Sequence, residues 1–239
     1  MKKKIPPFIS MILYEDEDYI IINKPPHISS LEDRNEEINI LKLARAYHGG
    51  AQLCHRLDKD TSGALIISKH PDAYKFMNQE FEKRKIKKTY QAVSDGLHHF
   101  SDLEMDKALS TMPKGTSHID ERYGKRSVTI FNSLKAFKKH TLINCNPVTG
   151  RLHQIRVHLA FLKAPITGDV TYGGKPFFLS SVKRNYKIGK FAEEQPLIQR
   201  LALHAYHLKF RLLTGEYKEV TAPYPRDFRV LLQQLEKNT

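Results

Sequence analysis

His55-Arg56-Leu57-Asp58-Lys59-Asp60-Thr61-Ser62-Gly63 runs straight into Ala64-Leu65-Ile66-Ile67, so a loop dense in ionisable groups ends against four consecutive apolar residues. A short uninterrupted apolar run preceded by glycine reads as a strand buried on both faces. The polar block then lies at the mouth of the core. A carboxylate held there stays ionised when a cation sits beside it, and an ionised, partly desolvated carboxylate can act as a nucleophile. Asp58 is the candidate. Turn chemistry offers a plainer alternative, in which Asp58 and Asp60 shape a turn and Thr61 and Ser62 cap backbone groups.

Outward from this block the chain alternates strand and helix signals. Upstream, residues 19–23 are short and β-branched, and Lys24-Pro25-Pro26 stops them, since proline has no N–H for a ladder. Residues 38–47 place Ile40, Leu41, Leu43, Ala44 and Tyr47 at helical spacing ahead of Gly49-Gly50. Downstream, Pro71 opens a helix in which Tyr74, Met77 and Phe81 recur at three- and four-residue steps, ending in a basic cluster at residues 83–88.

Strands are expected at 89–93, 128–137 and 141–145, the last two forming an antiparallel pair across Lys138-Lys139-His140. Two more are expected at 207–212 and 216–222, turning at Thr214-Gly215, before Asp227 opens a final helix through Leu235. Residues 97–125 and 175–199 carry no regular pattern, and long segments of that kind tend to be binding elements. The fold class is α+β, with a mixed, mostly antiparallel central sheet flanked by helices and long loops. Nothing marks a linker or a repeat, so residues 1–239 are expected to form one domain.

Charge narrows the partner. The chain of 239 residues holds 39 Lys and Arg against 26 Asp and Glu, a net charge of +13, which attracts polyanions. Nucleic acid is therefore the expected partner. The two cysteines, Cys54 and Cys145, are too few for a disulfide framework and fit a reducing cytoplasm. No apolar stretch approaches a membrane span, and no export signal follows Met1. Histidine pairs such as His153 with His158 and His204 with His207 lack the spacing of a zinc site, so no metal is expected.

A second block, Gly150-Arg151-Leu152-His153-Gln154-Ile155-Arg156-Val157-His158-Leu159, begins at a turn and continues with helical apolar spacing, which puts Arg156 in an early helical turn. Together the two blocks resemble the RluA-type family of pseudouridine synthases, whose signatures are His-Arg-Leu-Asp-x-x-Thr-Ser-Gly before an apolar strand and, later, Gly-Arg-Thr-His-Gln-Ile-Arg-Val-His. The likeness extends to Asn23-Lys24-Pro25-Pro26, to residues 88–93, to Gly168-Asp169 with Tyr172-Gly173, and to Leu203-His204-Ala205. Two positions depart from it: Leu152 stands for threonine, and His27 stands where the family often has glycine.

The resemblance implies the pseudouridine synthase fold with a catalytic cleft, and isomerisation of specific uridines in ribosomal or transfer RNA without a cofactor. It matches Asp58 to the family's essential aspartate, which adds to uracil C6 or attacks ribose C1′. Tyr90 matches the active-site tyrosine that stacks on the base and helps remove the C5 proton, and Arg156 the cation that pairs with Asp58. His55, Arg56, Thr61, Arg151, His153, Gln154 and Ile155 are expected to line the substrate. Basic residues 83–88 and 175–190 are expected to meet phosphates. The family blocks begin almost at once, so no N-terminal S4 module is expected, and the protein is expected to act as a monomer. A non-catalytic RNA-binding protein or RNA chaperone is the rival; it would bind RNA and leave uridine unchanged.

Overall fold

Residues 62–68 form the strand the apolar run requires, and every one of its side chains is buried. The computed structural model describes residues 5–32, 37–113, 115–183, 186 and 193–238. In chain order the elements are β1 (Ile12–Glu15), β2 (Tyr19–Lys24), α1 (Ile40–Tyr47), β3 (Gln52–Leu53), β4 (Ser62–Ser68), α2 (Pro71–Glu82), β5 (Lys87–Asp95) and β6 (Leu103–Asp106). They continue with β7 (Leu109–Thr111), β8 (Ser117–Ile119), β9 (Val128–Ala136), β10 (His140–Pro147), α3 (Gln154–Phe161), β11 (Leu203–Arg211), β12 (Tyr217–Thr221) and α4 (Arg226–Lys237).

Two compact units are resolved. The first comprises the residues up to Thr89 together with His204–Pro223. Within it β4 is flanked by β2 along one edge, antiparallel from Tyr19↔Ser68 to Lys24↔Gly63. Its other edge is shared. β3 pairs antiparallel with Leu53↔Ile67, and β11 pairs parallel at His204↔Ser62 and Ala205↔Gly63. β4 is thus enclosed on both faces and both edges, as a continuous apolar strand must be. Burying each Leu or Ile side chain contributes about 1.5–3 kcal/mol.

Glycine is required where β11 meets β4. Gly63 has φ 119°, and a Cβ there would lie 2.2 Å from the Ala205 carbonyl oxygen. Beside it the Ser62 hydroxyl is 2.9 Å from His204 Nδ1, while His204 Nε2 is 3.0 Å from the Ala222 carbonyl. A carbonyl only accepts, so Nε2 carries the proton and Ser62 donates to Nδ1. This buried chain of hydrogen bonds explains why a Ser-Gly pair is matched by a distant His-Ala pair.

Helix α2 begins as its sequence dictates, with Pro71 in the first turn and the His70 side chain accepting the Ala73 N–H. Ala73 and Met77 bury against Tyr19, Ile66 and Phe210. In α1, Asn39 caps the Lys42 N–H, and Ile40 and Ala44 face inward. Tyr47, grouped with that inner face by spacing, is exposed at the last turn.

The second unit, Tyr90–Leu203 with the chain from Tyr224, holds β5, β10, β9 and β6 in that order, all antiparallel. Its core gathers Phe131, Ile143, Leu159, Phe177, Phe228 and Leu231, which places α3 and α4 against the strands. Residues 97–125, unassigned from sequence, contain β6 and the separate β7–β8 hairpin. The final helix starts one residue before Asp227, which instead pairs with Arg200 from inside the first turn. Among the described residues no helix is long and apolar enough to cross a membrane, and no group of three or more His, Cys, Asp or Glu side chains is placed to hold a metal. The architecture is α+β with mostly antiparallel pairing.

Candidate active site

Asp58 stands in a short turn closed by the Thr61 N–H, which donates to the Asp58 carbonyl at 3.0 Å. The backbone on either side of it is fastened by the loop that follows β2. Ser30 Oγ donates to the Leu57 carbonyl at 2.7 Å and accepts the Leu57 N–H at 3.1 Å. Lys24, wholly buried at the end of β2, points its ammonium at three carbonyls: Pro25 at 3.0 Å, Ile28 at 2.9 Å and Lys59 at 3.0 Å. A buried ammonium demands such acceptors, so Lys24 both closes its own loop and grips the residue after Asp58. Ser29 and Ser30 in turn accept the first N–H groups of α1, from Ile40 and Leu41.

The other sequence candidates in this unit divide by orientation. His55 Nε2 accepts the Ile66 N–H at 3.0 Å, and its ring packs 5.0 Å from Phe81. Burial, reinforced by the Lys88 charge, pushes its pKa down to about 3, so the ring is neutral with its proton on Nδ1. His55 thus braces the loop against β4. Lys88 lies 5.9 Å over the same Phe81 ring, and burial lowers its pKa to about 8. Arg56 is exposed. Thr61 is buried, and its hydroxyl has no hydrogen-bond partner among the described residues.

Tyr90, Arg151, His153, Gln154, Ile155 and Arg156 belong to the second unit. Tyr90 is half-buried on β5 opposite Cys145 and packs on the core. Arg156, in the first turn of α3, is buried and held by Asp169: Nε donates to Oδ2 at 2.6 Å and Nη2 to Oδ1 at 2.8 Å. The guanidinium also lies 4.8 Å from the centre of the Tyr172 ring. Tyr172 Oη accepts the Ser117 N–H at 2.8 Å and sits 2.8 Å from His153 Nδ1. The phenol thus links the His153 ring to the β8 backbone. His153 holds φ 55°, a left-handed backbone uncommon for a side-chain-bearing residue.

Gln154 and Ile155, expected at the substrate, are turned inward. The Gln154 amide oxygen accepts from Thr149 Oγ1 and the Arg151 N–H, and its nitrogen is within 2.9 Å of both the Val128 carbonyl and Thr129 Oγ1. Every one of its polar directions is occupied in joining the start of α3 to β9. Ile155 is part of the core. Arg151 is exposed, its Nε 3.4 Å from the Arg126 carbonyl.

Asp169, Tyr172, Lys24 and Ser30 received no role from sequence. Three of them lie in matched blocks, and the only signal they carry is a lone acid, tyrosine or lysine beside glycine or proline, which names no partner. In the basic stretches, Lys83, Arg84, Lys85, Lys87, Lys175 and Lys183 are exposed. Arg184, Lys187 and Lys190 lie outside the described residues.

Comparison with known proteins supplies the family. The family model for RNA pseudouridylate synthase matches residues 18–161, a span that includes Asp58, Tyr90 and Arg156. The ribosomal large subunit pseudouridine synthase C of Buchnera aphidicola subsp. Baizongia pistaciae is 37% identical over 238 residues, 95% of this chain and 71% of that protein. Synthase D of Pasteurella multocida is 33% identical over 238 residues, 94% of this chain and 70% of that protein. The solved human RNA pseudouridylate synthase domain containing 4 superposes with a TM-score of 0.73 at 27% identity, covering 96% of this chain and 94% of its own. Matched by this family model over more than half its length, and 37% identical to a ribosomal large subunit synthase across 71% of that protein, this chain belongs to the RNA pseudouridylate synthase family.

Proposed function

We propose that this protein isomerises uridine in ribosomal RNA, with Asp58 as the nucleophile. The observation that carries the reading is the Asp58 turn, whose backbone is clamped by Ser30 and Lys24 at residues 57 and 59 while the Asp58 side chain stays partly exposed at the mouth of β4. A group so positioned is pre-organised for attack. The ribosomal substrate rests on the names of the relatives, which are ribosomal large subunit synthases.

The reaction conserves atoms. The bond between uracil N1 and ribose C1′ breaks, the base turns, C5 bonds to C1′, and the proton leaving C5 is balanced by one gained at N1. Asp58 serves as an ionised carboxylate, whether it adds to uracil C6 or attacks C1′. Tyr90 provides the face on which the flipped base stacks and a hydroxyl for the C5 proton. Arg156, its plane set by Asp169 and Tyr172, supplies the cationic group, and the His153 ring beside Tyr172 a polar contact for the nucleotide. A paired uridine must first leave its stack, at a cost of a few kcal/mol that phosphate contacts offset. The chain acts as a single catalytic domain, a monomer, in the cytoplasm.

The test is tritium release from ribosomal RNA carrying [5-³H]uridine. Wild type releases tritium; Asp58→Asn binds the RNA and releases none. An active Asp58→Asn protein refutes the nucleophile, and activity confined to transfer RNA refutes the substrate.

A further inference from the structure

His27 occupies a backbone position built for glycine. Its φ of 64° is left-handed, where a side-chain-bearing residue is strained, and it follows Lys24-Pro25-Pro26 in the loop after β2. Glycine would relieve that strain, so the imidazole must return something. Its Nδ1–H donates to Asp60 Oδ1 at 2.9 Å, across 33 residues of chain. The hydrogen bond from His27 holds the Asp60 carboxyl below the usual carboxylate range, against the opposing effect of burial, with the His27, Lys59 and Lys24 charges adding to it.

The pair completes a set of ties between two loops. Ser30 holds the backbone of Leu57, Lys24 the carbonyl of Lys59, and His27 the side chain of Asp60. Asp58 is the residue these ties surround. Two of the three act on backbone and start from buried groups. The third joins two side chains that are both partly open to solvent, 25% and 42% exposed.

We infer that His27 and Asp60 form a positioning latch, which sets the turn that carries Asp58 and so governs the rate of the chemical step without touching the substrate. The inference rests on Asp58 being the nucleophile. A small displacement of a reacting group is enough to slow a positioned reaction by an order of magnitude or more.

His27→Gly separates this from a structural role, because it removes the imidazole while relieving the strained backbone. The full-length protein carrying His27→Gly, Asp60→Ala or both is compared with wild type for melting temperature, and for kcat and KM on tritiated RNA. The latch requires that His27→Gly melt no lower than wild type, that kcat fall about tenfold with KM unchanged, and that the double variant be no slower than Asp60→Ala. Wild-type kcat in His27→Gly overturns it. So does a raised KM at constant kcat, which would make His27 an RNA contact, and so does a fall in melting temperature that parallels the loss of rate. Asp58→Asn run alongside keeps the two readings apart: if it is inactive while His27→Gly is normal, only the latch fails, and if it is active the nucleophile itself is wrong.

Discussion

Asp169 meets Arg156 in a fork-to-fork pair, both oxygens of the carboxylate accepting from the guanidinium, in a place where both residues are buried. A bidentate pair fixes the plane of the guanidinium as well as its charge. Removing one partner leaves a buried charge short of its counter-ion, which destabilises by about 3–5 kcal/mol. Asp169→Ala is therefore expected to lower the urea midpoint and to abolish tritium release. Asp169→Asn, which keeps one acceptor, should retain more stability than activity. Equilibrium unfolding and the release assay on both variants check this.

The crossing of β4 and β11 makes a backbone prediction. Gly63→Ala places a methyl group against the Ala205 carbonyl at a φ of 119°, so the parallel pairing of His204 and Ala205 with Ser62 and Gly63 must open. Destabilisation of at least about 2 kcal/mol is expected from the combined clash and strain. Circular dichroism melts of this variant provide the measurement.

His55 gives stability a pH dependence of definite sign. The unfolded ring takes up a proton near 6.5, whereas the buried ring resists protonation until about 3. Its contribution is complete above pH 6.5 and is lost as pH falls from there toward 3, because only the unfolded state binds the proton in that window. His55→Gln, which offers the Ile66 N–H an acceptor that does not titrate in this range, should flatten that part of the stability-against-pH curve. Denaturant titrations between about pH 7 and 4 test it.

Lys83, Arg84 and Lys87 are exposed at the end of α2 and the start of β5, whereas Lys85 also pairs with Glu80. If they meet RNA phosphates, replacing each with Gln lowers the slope of log affinity against log salt by roughly 0.7–0.9 for every phosphate no longer neutralised, leaving kcat nearly unchanged. Filter binding from low to moderate salt measures this. A slope identical to wild type would show that these side chains face solvent only.

Much of the architecture is local in origin and so is legible in the sequence. The apolar run of β4, the proline start of α2, the paired patterns of β9 and β10, and the turn at Gly215 each depend on residues within a few positions of one another. The short strands β6, β7 and β8 are not legible, because three or four residues with exposed neighbours carry no periodicity to detect. β11 begins at Leu203, four residues before its pattern does. Its first residues are strand because Ser62 and Gly63 lie alongside, a pairing between segments far apart in the chain.

The site shows the same division. Residue types and order single out Asp58, Tyr90 and Arg156 as candidates, since their blocks are contiguous and chemically unusual. Which partner each polar group takes is decided by tertiary contact: Asp169 on Arg156, Lys24 on the Lys59 carbonyl, Ile66 on His55, Asp60 on His27. The physical reason is that a hydrogen bond is settled at about 3 Å between atoms. The chain brings such atoms together only after strands have paired and helices have packed, so neighbours in sequence announce a chemistry and neighbours in space assign it.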